Sequence, residues 1–432
     1  MFNLKLVLLI GLFIFVTTQI LVEETDISKE CTLVEDLANH PTLHVTVTDE
    51  TFDNGAYGEV FANDENTKAI KKINLNNELA KIVVQREIKA MKALSGVVGI
   101  VSFDKDEKCY YNGEDVYIIM PLQDIDLTTF LVDESEKEDY ELAHCPVWKV
   151  YASNYIVNLV VHLHSLNWLH LDLKADNLLE EDVFTINLAD FGASELVDPI
   201  TTEVPYPYFQ GVGRRGTPNF LAPEISSSYR FYRETDIYAL AVVLLEIWYV
   251  KDVSTYKYLA NIENIKTEFA KCKNNTYSET DMTNKMFCTF IYPVIEKMYV
   301  EDLTSRIKGD ELLNEMKVAT TNAINYLNQE VIDLQQKIAA DPENENVEYW
   351  QHKIYLSDVT DFTEYYIEMK ANDLNENQPL KEFMLKTNAP FFEALSDRGA
   401  KLLGFTIDAF LNKEINLSTP IPVQEEEERL II

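Results

Sequence analysis

Basic residues are scarce in this chain. Its 432 residues hold 37 Lys and Arg against 72 Asp and Glu, a formal charge of −35. Phosphate backbones are gripped by lysine and arginine in number, so this balance argues against a nucleic-acid partner. Basic partners or substrates are favoured, diffusely at physiological salt. Cysteine is sparse too. Five thiols (Cys31, Cys109, Cys145, Cys272 and Cys288) are too few for a disulfide scaffold, and the absence of any CxxC pair argues against a zinc site. An oxidising lumen would still permit one bridge or two, with Cys272 and Cys288 nearest in sequence. Internal repeats are also missing. What is present in ordinary amount is apolar residue, 47% of the chain, enough for a sizeable core spread over two or three structural units.

The one long apolar run lies at the start, in MFNLKLVLLIGLFIFVTTQILVEETD. Lys5 precedes a run from Leu6 to Val16, and Thr17 and Thr18 follow, which is signal-peptide grammar with cleavage near Thr18. Uncut, Leu6 to Val22 is marginally long enough to span a bilayer. Lys5 before it and Glu23, Glu24 and Asp26 after it would then leave the remainder on the non-cytosolic side. Residues 1–22 are therefore read as a signal peptide or signal anchor, and 23–42 as a linker. The expected location is the secretory lumen or the exterior, or a membrane facing that side. Sequons at Asn274 (NNT) and Asn416 (NLS) suit such a compartment.

From Leu43 to Ile73, stretches such as HVTVTDETF and KAIKKI alternate around a glycine-bearing turn, the pattern of a small antiparallel sheet. Asn76 to Leu94 has helical spacing, and VYIIMPL reads as a buried strand ending at Pro121. Long helical patterns follow, including VWKVYASNYIVNLVVHLHSL and ETDIYALAVVLLEIWYV. A strand-rich piece followed by a helix-rich one implies two lobes. After about Leu313, Ile324, Leu327, Val331, Leu334 and Ile338 repeat at 3-4 spacing, with further helices expected at Val347–Met369 and Phe391–Phe410. This extension is assigned to 314–420 and an acidic tail to 421–432. Its apolar stripes need burial, for which docking on the large lobe comes first and self-association or a partner second.

Chemistry gathers in a few short stretches. In DNGAYGEVF, Gly55 and Gly58 let backbone N–H groups approach phosphate oxygens with no side chain in the way, and Val60 would cover a flat apolar ligand. KAIKKI places Lys71 on the next strand. A lysine among apolar residues needs a partner charge, and Glu87, sixteen residues on along a helix, is suitable. LHLDLKADNLL sets Asp172, Lys174 and Asn177 in one loop. Asp172 can take the proton of an incoming hydroxyl, Lys174 steady a phosphoryl group, and Asn177 hold a metal ion. Asp190 in LADFGAS adds a second hard oxygen ligand, a sparse set that suits Mg²⁺.

Glycine turn, AIK, helix Glu, HxDxKxxN, DFG and GTPNFLAPE stand in that order. Together they resemble the eukaryotic protein kinase family, over roughly residues 43–313. The resemblance implies an α+β, two-lobed protein-kinase-like fold with a small β-rich N-lobe, a larger α-helical C-lobe and the added helical extension. It also implies ATP and Mg²⁺ as cofactors. By position, Val60, Ala69 and Leu179 resemble adenine-pocket walls, Met120 the gatekeeper, and Pro121 to Gln123 the hinge, with the Gln123 N–H facing adenine. Glu224 would pair with Arg306, and Asp236 would support the catalytic loop. Lys174 after Asp172, together with Thr217 in GTPNFLAPE, resembles the serine/threonine branch. Because Lys71, Glu87, Asp172, Asn177 and Asp190 are all present, a phosphotransferase is expected rather than a pseudokinase scaffold.

Some positions depart from the family pattern. Asp53 stands at the first glycine. Leu171 replaces the arginine that meets an activation-loop phosphate, so phosphorylation at Thr201 or Thr202 is not expected to act through that contact. Arg214 and Arg215 offer an alternative phosphate contact. Asp126 and Asp176 sit where basophilic members carry acids, which implies protein substrates with basic residues near the target. Asp126 reads equally as a helix cap or a ribose ligand.

Overall fold

The computed structural model describes residues 27–34, 53–55, 58–63, 65–76, 78–133, 144–182, 184–197, 203–205, 216–227, 230–277, 281–359, 362–363 and 378–391. The N-terminal apolar run, HVTVTDETF up to Phe52, Thr201, Thr202, Arg214, Arg215, Asn416 and the acidic tail lie outside them. Among the described residues no helix is long and apolar enough to cross a membrane. The chain forms two compact units, one of residues 1–95 and 102–122, the other of 96–101 and 123–432.

Among the described residues the first unit is a six-stranded sheet with one long helix. Its strands are β1 (Thr32–Leu33), β2 (Asp53–Gly55), β3 (Gly58–Ala62), β4 (Lys68–Asn74), β5 (Cys109–Tyr111) and β6 (Asp115–Pro121). They lie in the order β1-β5-β6-β4-β3-β2. All neighbours are antiparallel except β1, which runs parallel to β5. Helix α1 (Ile27–Glu30) leads into β1, and α2 (Glu78–Ala93) follows β4. Directly opposed residues share a face. Val60 faces Lys71, Ala69 faces Met120, and Ile73 faces Val116, so these six side chains lie on one side of the sheet. The buried stripe of α2, with Ala80, Val84, Ile88 and Met91, packs with Ile73, Val116 and Ile118 in one core cluster.

One sequence expectation fails here. The segment read as a 23–42 linker contains an edge strand of this sheet at Thr32–Leu33, and Cys31 is bonded to Cys109. Two residues of β-pattern are too few to register as a strand, and a partner 78 positions away leaves no local trace.

The second unit is mostly helical. A three-stranded sheet of β7 (Ile125–Asp126), β9 (Leu178–Asp182) and β10 (Thr185–Leu188), in the order β10-β9-β7, is joined by two short ladders. These are β8 (Trp168–Leu169) with β11 (Glu195–Leu196), and β12 (Glu203–Pro205) with β13 (Arg230–Tyr232). Helix α3 (Leu127–Val132) follows β7. Two long helices, α4 (Pro146–Ser165) and α5 (Arg233–Tyr249), are apolar on every side and almost wholly buried, as central helices of a core must be. Pro146 opens α4 at its first turn, where a missing N–H costs nothing. Trp248 Nε1 donates to Ser153 Oγ at 2.8 Å, joining α5 to α4.

The extension packs onto this unit. Helix α6 (Gly309–Ala340) buries Leu312, Met316, Ala323, Leu327 and Val331 and lies along α4. Each fully buried aliphatic side chain of this kind contributes about 1.5–3 kcal/mol. The boundary expected at 313/314 falls inside this continuous helix. After it, α7 (Val347–Tyr355) is shorter than the Val347–Met369 reading, and α8 (Gln378–Thr387) precedes Phe391. Most of Phe391–Phe410 lies beyond the described residues. Tyr151 of α4 sits in an aromatic group with Phe184, Phe362 and Phe391, at centroid distances of 5.6 to 5.8 Å. Asn154 Nδ2 donates to the Thr387 carbonyl at 2.5 Å.

Candidate active site

In the first unit the central feature is a buried ion pair. Lys71 Nζ lies 2.7 Å from Glu87 Oε1, with the residues 8% and 1% exposed. Lys71 points to the α2 face because it opposes Val60 and Ile118 in register. Glu87 meets it because it lies on the buried side of α2, beside Val84, Ile88 and Met91. Val60, Ala69 and Met120 share this sheet face. Gly58 has a steric reason: a Cβ there would sit 2.6 Å from the Lys72 carbonyl oxygen, so only glycine fits against β4. Gly55 pairs with Gly58 at the end of the β2–β3 ladder.

In the second unit the loop that carries Asp172 is built around Asp236 of α5. Its Oδ1 accepts from Leu171 N at 2.8 Å, and its Oδ2 accepts from His170 N at 2.8 Å. The same Oδ2 lies 2.9 Å from His164 Nε2. This grip holds Leu171 at φ +66°, a left-handed conformation that costs a side-chain-bearing residue about 1–2 kcal/mol. The reversal places Asp172 at the mouth of the loop. Its Oδ1 accepts from Thr217 Oγ1 at 2.9 Å. Gly216 allows this, because at φ +85° a Cβ would lie 2.9 Å from the Leu171 carbonyl oxygen.

Asn177 closes the loop: its Nδ2 donates to the Asp172 carbonyl at 2.8 Å. With the amide nitrogen so committed, Oδ1 is left as an oxygen donor. Asp190 is brought to the same loop by two backbone ties. Ala189 N donates to Asn177 O at 2.9 Å, and His170 Nε2 donates to Ala189 O at 2.9 Å. Asp190 itself is left-handed at φ 58° and exposed, and its side chain accepts from Gly192 N at 3.3 Å. One amide oxygen and one exposed carboxylate fit a magnesium ion, which keeps most of its shell for phosphate and water. Among the described residues no group of three or more His, Cys, Asp or Glu offers a denser metal cage.

The remaining expected residues fall as follows. Met120 and Pro121 end β6 in the first unit, and Gln123 begins the stretch belonging to the second. The side chain of Gln123 accepts from Asn187 Nδ2 at 2.7 Å. Leu179 pairs with Asp126 across β9 and β7. Asp126 is a helix cap: it accepts from Thr129 N at 2.9 Å and Thr129 Oγ1 at 2.6 Å. Lys174, half-buried, precedes the short helical turn at Ala175–Asn177. Glu224 holds Arg306 with both oxygens, at 2.8 and 3.0 Å, and the guanidinium lies over the Tyr238 ring.

Leu171 fills the place of the expected arginine with apolar contact. It is 5% exposed and packs with Val197, Ala222, Ile225, Phe231 and Tyr238. Glu246 is a residue the motif reading passed over. It is 5% exposed, and burial and then the charge of Asp176 push its carboxyl well above the usual range. Its Oε2 has no hydrogen-bond partner. The available signal was a lone acid in the apolar run AVVLLEIWYV. Burial, followed by the same Asp176 charge, pushes Tyr256 up to about 12. Burial likewise raises Asp126 against its Thr129 hydrogen bonds, with Asp176 adding to the rise.

The family model described as "Protein kinase domain" matches residues 47–317, and the chain belongs to that family. Several of its curated relatives are named serine/threonine-protein kinases. The probable serine/threonine-protein kinase PLK of Dictyostelium discoideum is 29% identical over half of this chain and 19% of its own length. Serine/threonine-protein kinase SULU of Caenorhabditis elegans is 29% identical over 45% of this chain and 18% of its own. The SNF1-related protein kinase catalytic subunit alpha KIN12 of Arabidopsis thaliana is 25% identical over 57% and 44%. The chain thus spans less than half the length of each of these relatives.

Proposed function

We propose that this chain is an ATP-dependent protein kinase that transfers the γ-phosphoryl group of ATP to serine or threonine hydroxyls of proteins. The observation that carries this is the Thr217 hydroxyl donating to Asp172 at 2.9 Å. The carboxylate already accepts a hydrogen bond from an alcohol, the interaction by which it would orient an acceptor hydroxyl and take its proton. Lys174 steadies the transferring group, and Lys71, fixed by Glu87, grips phosphate oxygens. Asn177 and Asp190 would hold Mg²⁺, whose charge offsets that of the phosphates. Positioning and charge neutralisation supply most of the catalysis, since phosphoryl transfer asks little covalent chemistry of the protein.

Substrates with basic residues near the target suit the acids of the second unit. Glu246 is the strongest support, because a buried carboxyl with an orphaned oxygen is stabilised by an incoming cationic N–H. Asp176 adds charge to the same place. The secretory lumen or the exterior is the proposed location. The N-terminal apolar run, the Cys31–Cys109 and Cys272–Cys288 bonds and the exposed sequon at Asn274 support it.

The test is transfer from γ-labelled ATP to an arginine-bearing serine peptide by the purified chain beside Asp190→Asn. Signal should fall at least a hundredfold in the variant. Equal labelling by both would reject the kinase reading in favour of a scaffold. Replacing the peptide's arginines should cost wild type over tenfold and Glu246→Gln far less. Glycosidase sensitivity of the cell-made chain decides the compartment.

A further inference from the structure

We infer that residues 27–34, outside the family-matched stretch of 47–317, are a covalent latch that holds helix α2 in place for catalysis. Cys31, Glu30 and Lys92 are the positioning residues. This rests on the reading above that Lys71, oriented by Glu87, grips nucleotide phosphate.

The segment is tied to the sheet at two places and to helix α2 at a third. Cys31 is bonded to Cys109, and both are buried, 5% and 3% exposed. The sulfurs lie in the cluster formed by Ala80, Val84, Ile88 and Met91 of α2 with the sheet, and Ile27 packs against it. Those are the helix positions that flank Glu87, so the latch and this glutamate share one buried face. Glu30 grips Lys92, in the last turn of α2, with both carboxylate oxygens at 2.9 and 2.8 Å. Finally, β1 pairs with β5 (Thr32 with Tyr110, Leu33 with Tyr111), and Val34 N donates to Tyr111 O at 2.9 Å. The segment is therefore bonded covalently to the sheet and electrostatically to the helix. A rotation or outward shift of α2, the motion that would part Glu87 from Lys71, must break the Glu30–Lys92 pair and strip Ala80, Val84, Ile88 and Met91 from a segment that the disulfide fixes to the sheet.

An exposed ion pair such as Glu30–Lys92, whose side chains are 29% and 59% exposed, contributes little to overall stability. A purely structural role would leave catalysis unmoved when it is reversed. The latch gives a different outcome. Glu30→Lys and Lys92→Glu should each raise KM for ATP three- to tenfold with KM for peptide unchanged. The double reversal, Glu30→Lys with Lys92→Glu, should return it to within twofold of wild type. Removing the bond by Cys31→Ser with Cys109→Ser should raise KM for ATP more than tenfold. Should that variant not fold, the charge reversals still decide. Hydrogen exchange of the amides of residues 78–93 in the full chain gives a readout independent of turnover: faster exchange in the single reversals, restored in the double. Failure of wild type to transfer phosphate would overturn the kinase reading, while the exchange pattern would still judge the latch. Unchanged exchange in the single reversals, or no recovery in the double, would overturn the latch itself.

Discussion

Asp236→Asn is the sharpest perturbation of the loop that carries Asp172, because the geometry allows its effect to be worked out. The Asp236 carboxylate, 1% exposed, accepts two backbone N–H groups at 2.8 Å each. Hydrogen bonds to a charged acceptor contribute about 1.5–3 kcal/mol each. Together they exceed the cost of roughly 1–2 kcal/mol for holding Leu171 at its left-handed φ. Asparagine keeps one oxygen, so one N–H retains a weaker neutral bond while the other faces an amide donor. The loss, about 3 kcal/mol by these figures, removes the surplus that holds the reversal. Leu171 then relaxes and Asp172 leaves its position. By the factor of ten per 1.4 kcal/mol, kcat should fall about a hundredfold. KM for ATP should hardly change, since the Lys71–Glu87 pair is untouched. The midpoint of thermal unfolding should drop by roughly 5–10 °C. A second arm isolates the strain: Leu171→Gly adopts a positive φ freely, so combined with Asp236→Asn it should recover about 1 kcal/mol relative to additivity. A kcat within threefold of wild type, or strict additivity, would refute the claim that Asp236 restrains a strained turn.

Phe391→Ala should cost about 3–5 kcal/mol in urea unfolding, because the ring is 2% exposed and packs on Tyr151 and Phe362. A loss below about 1 kcal/mol would detach the extension from the core of the second unit. Lys149→Met should remove a pH dependence. Burial, and then the charge of Lys251, pushes the Lys149 amine down to about 7, while the unfolded chain keeps it at ~10.4. Between those values the unfolded state binds the extra proton, so wild-type stability rises with pH there and levels off below. The advantage of the methionine variant should therefore shrink by about 2 kcal/mol between pH 7.5 and 9.5; a constant difference sinks the assignment. Thr201→Glu with Thr202→Glu should change the transfer rate less than tenfold, since Leu171 sits in an apolar cluster where an arginine would meet phosphate. An increase beyond tenfold in the labelled-ATP assay contradicts this.

What the sequence made legible follows from how each feature is encoded. Asp172, Asn177 and Asp190 do their work within one short stretch of backbone, so residue type at fixed spacing carries nearly all the information. The 3-4 stripe of α6 was equally readable. Its destination was not, because the receiving helix α4 is buried on every side and shows no matching stripe. Cys31 and Cys109 are the extreme case: their meeting depends on a two-residue edge strand and a neighbouring strand 78 positions away in sequence. Glu246 failed for the opposite reason. It was visible as one acid in an apolar helix, but its meaning lies in its burial and then in the charge of Asp176, seventy positions earlier. The motifs therefore identify the residues of the candidate site. How firmly the Asp172 loop is held depends on Asp236, 64 positions after it, where long-range packing decides.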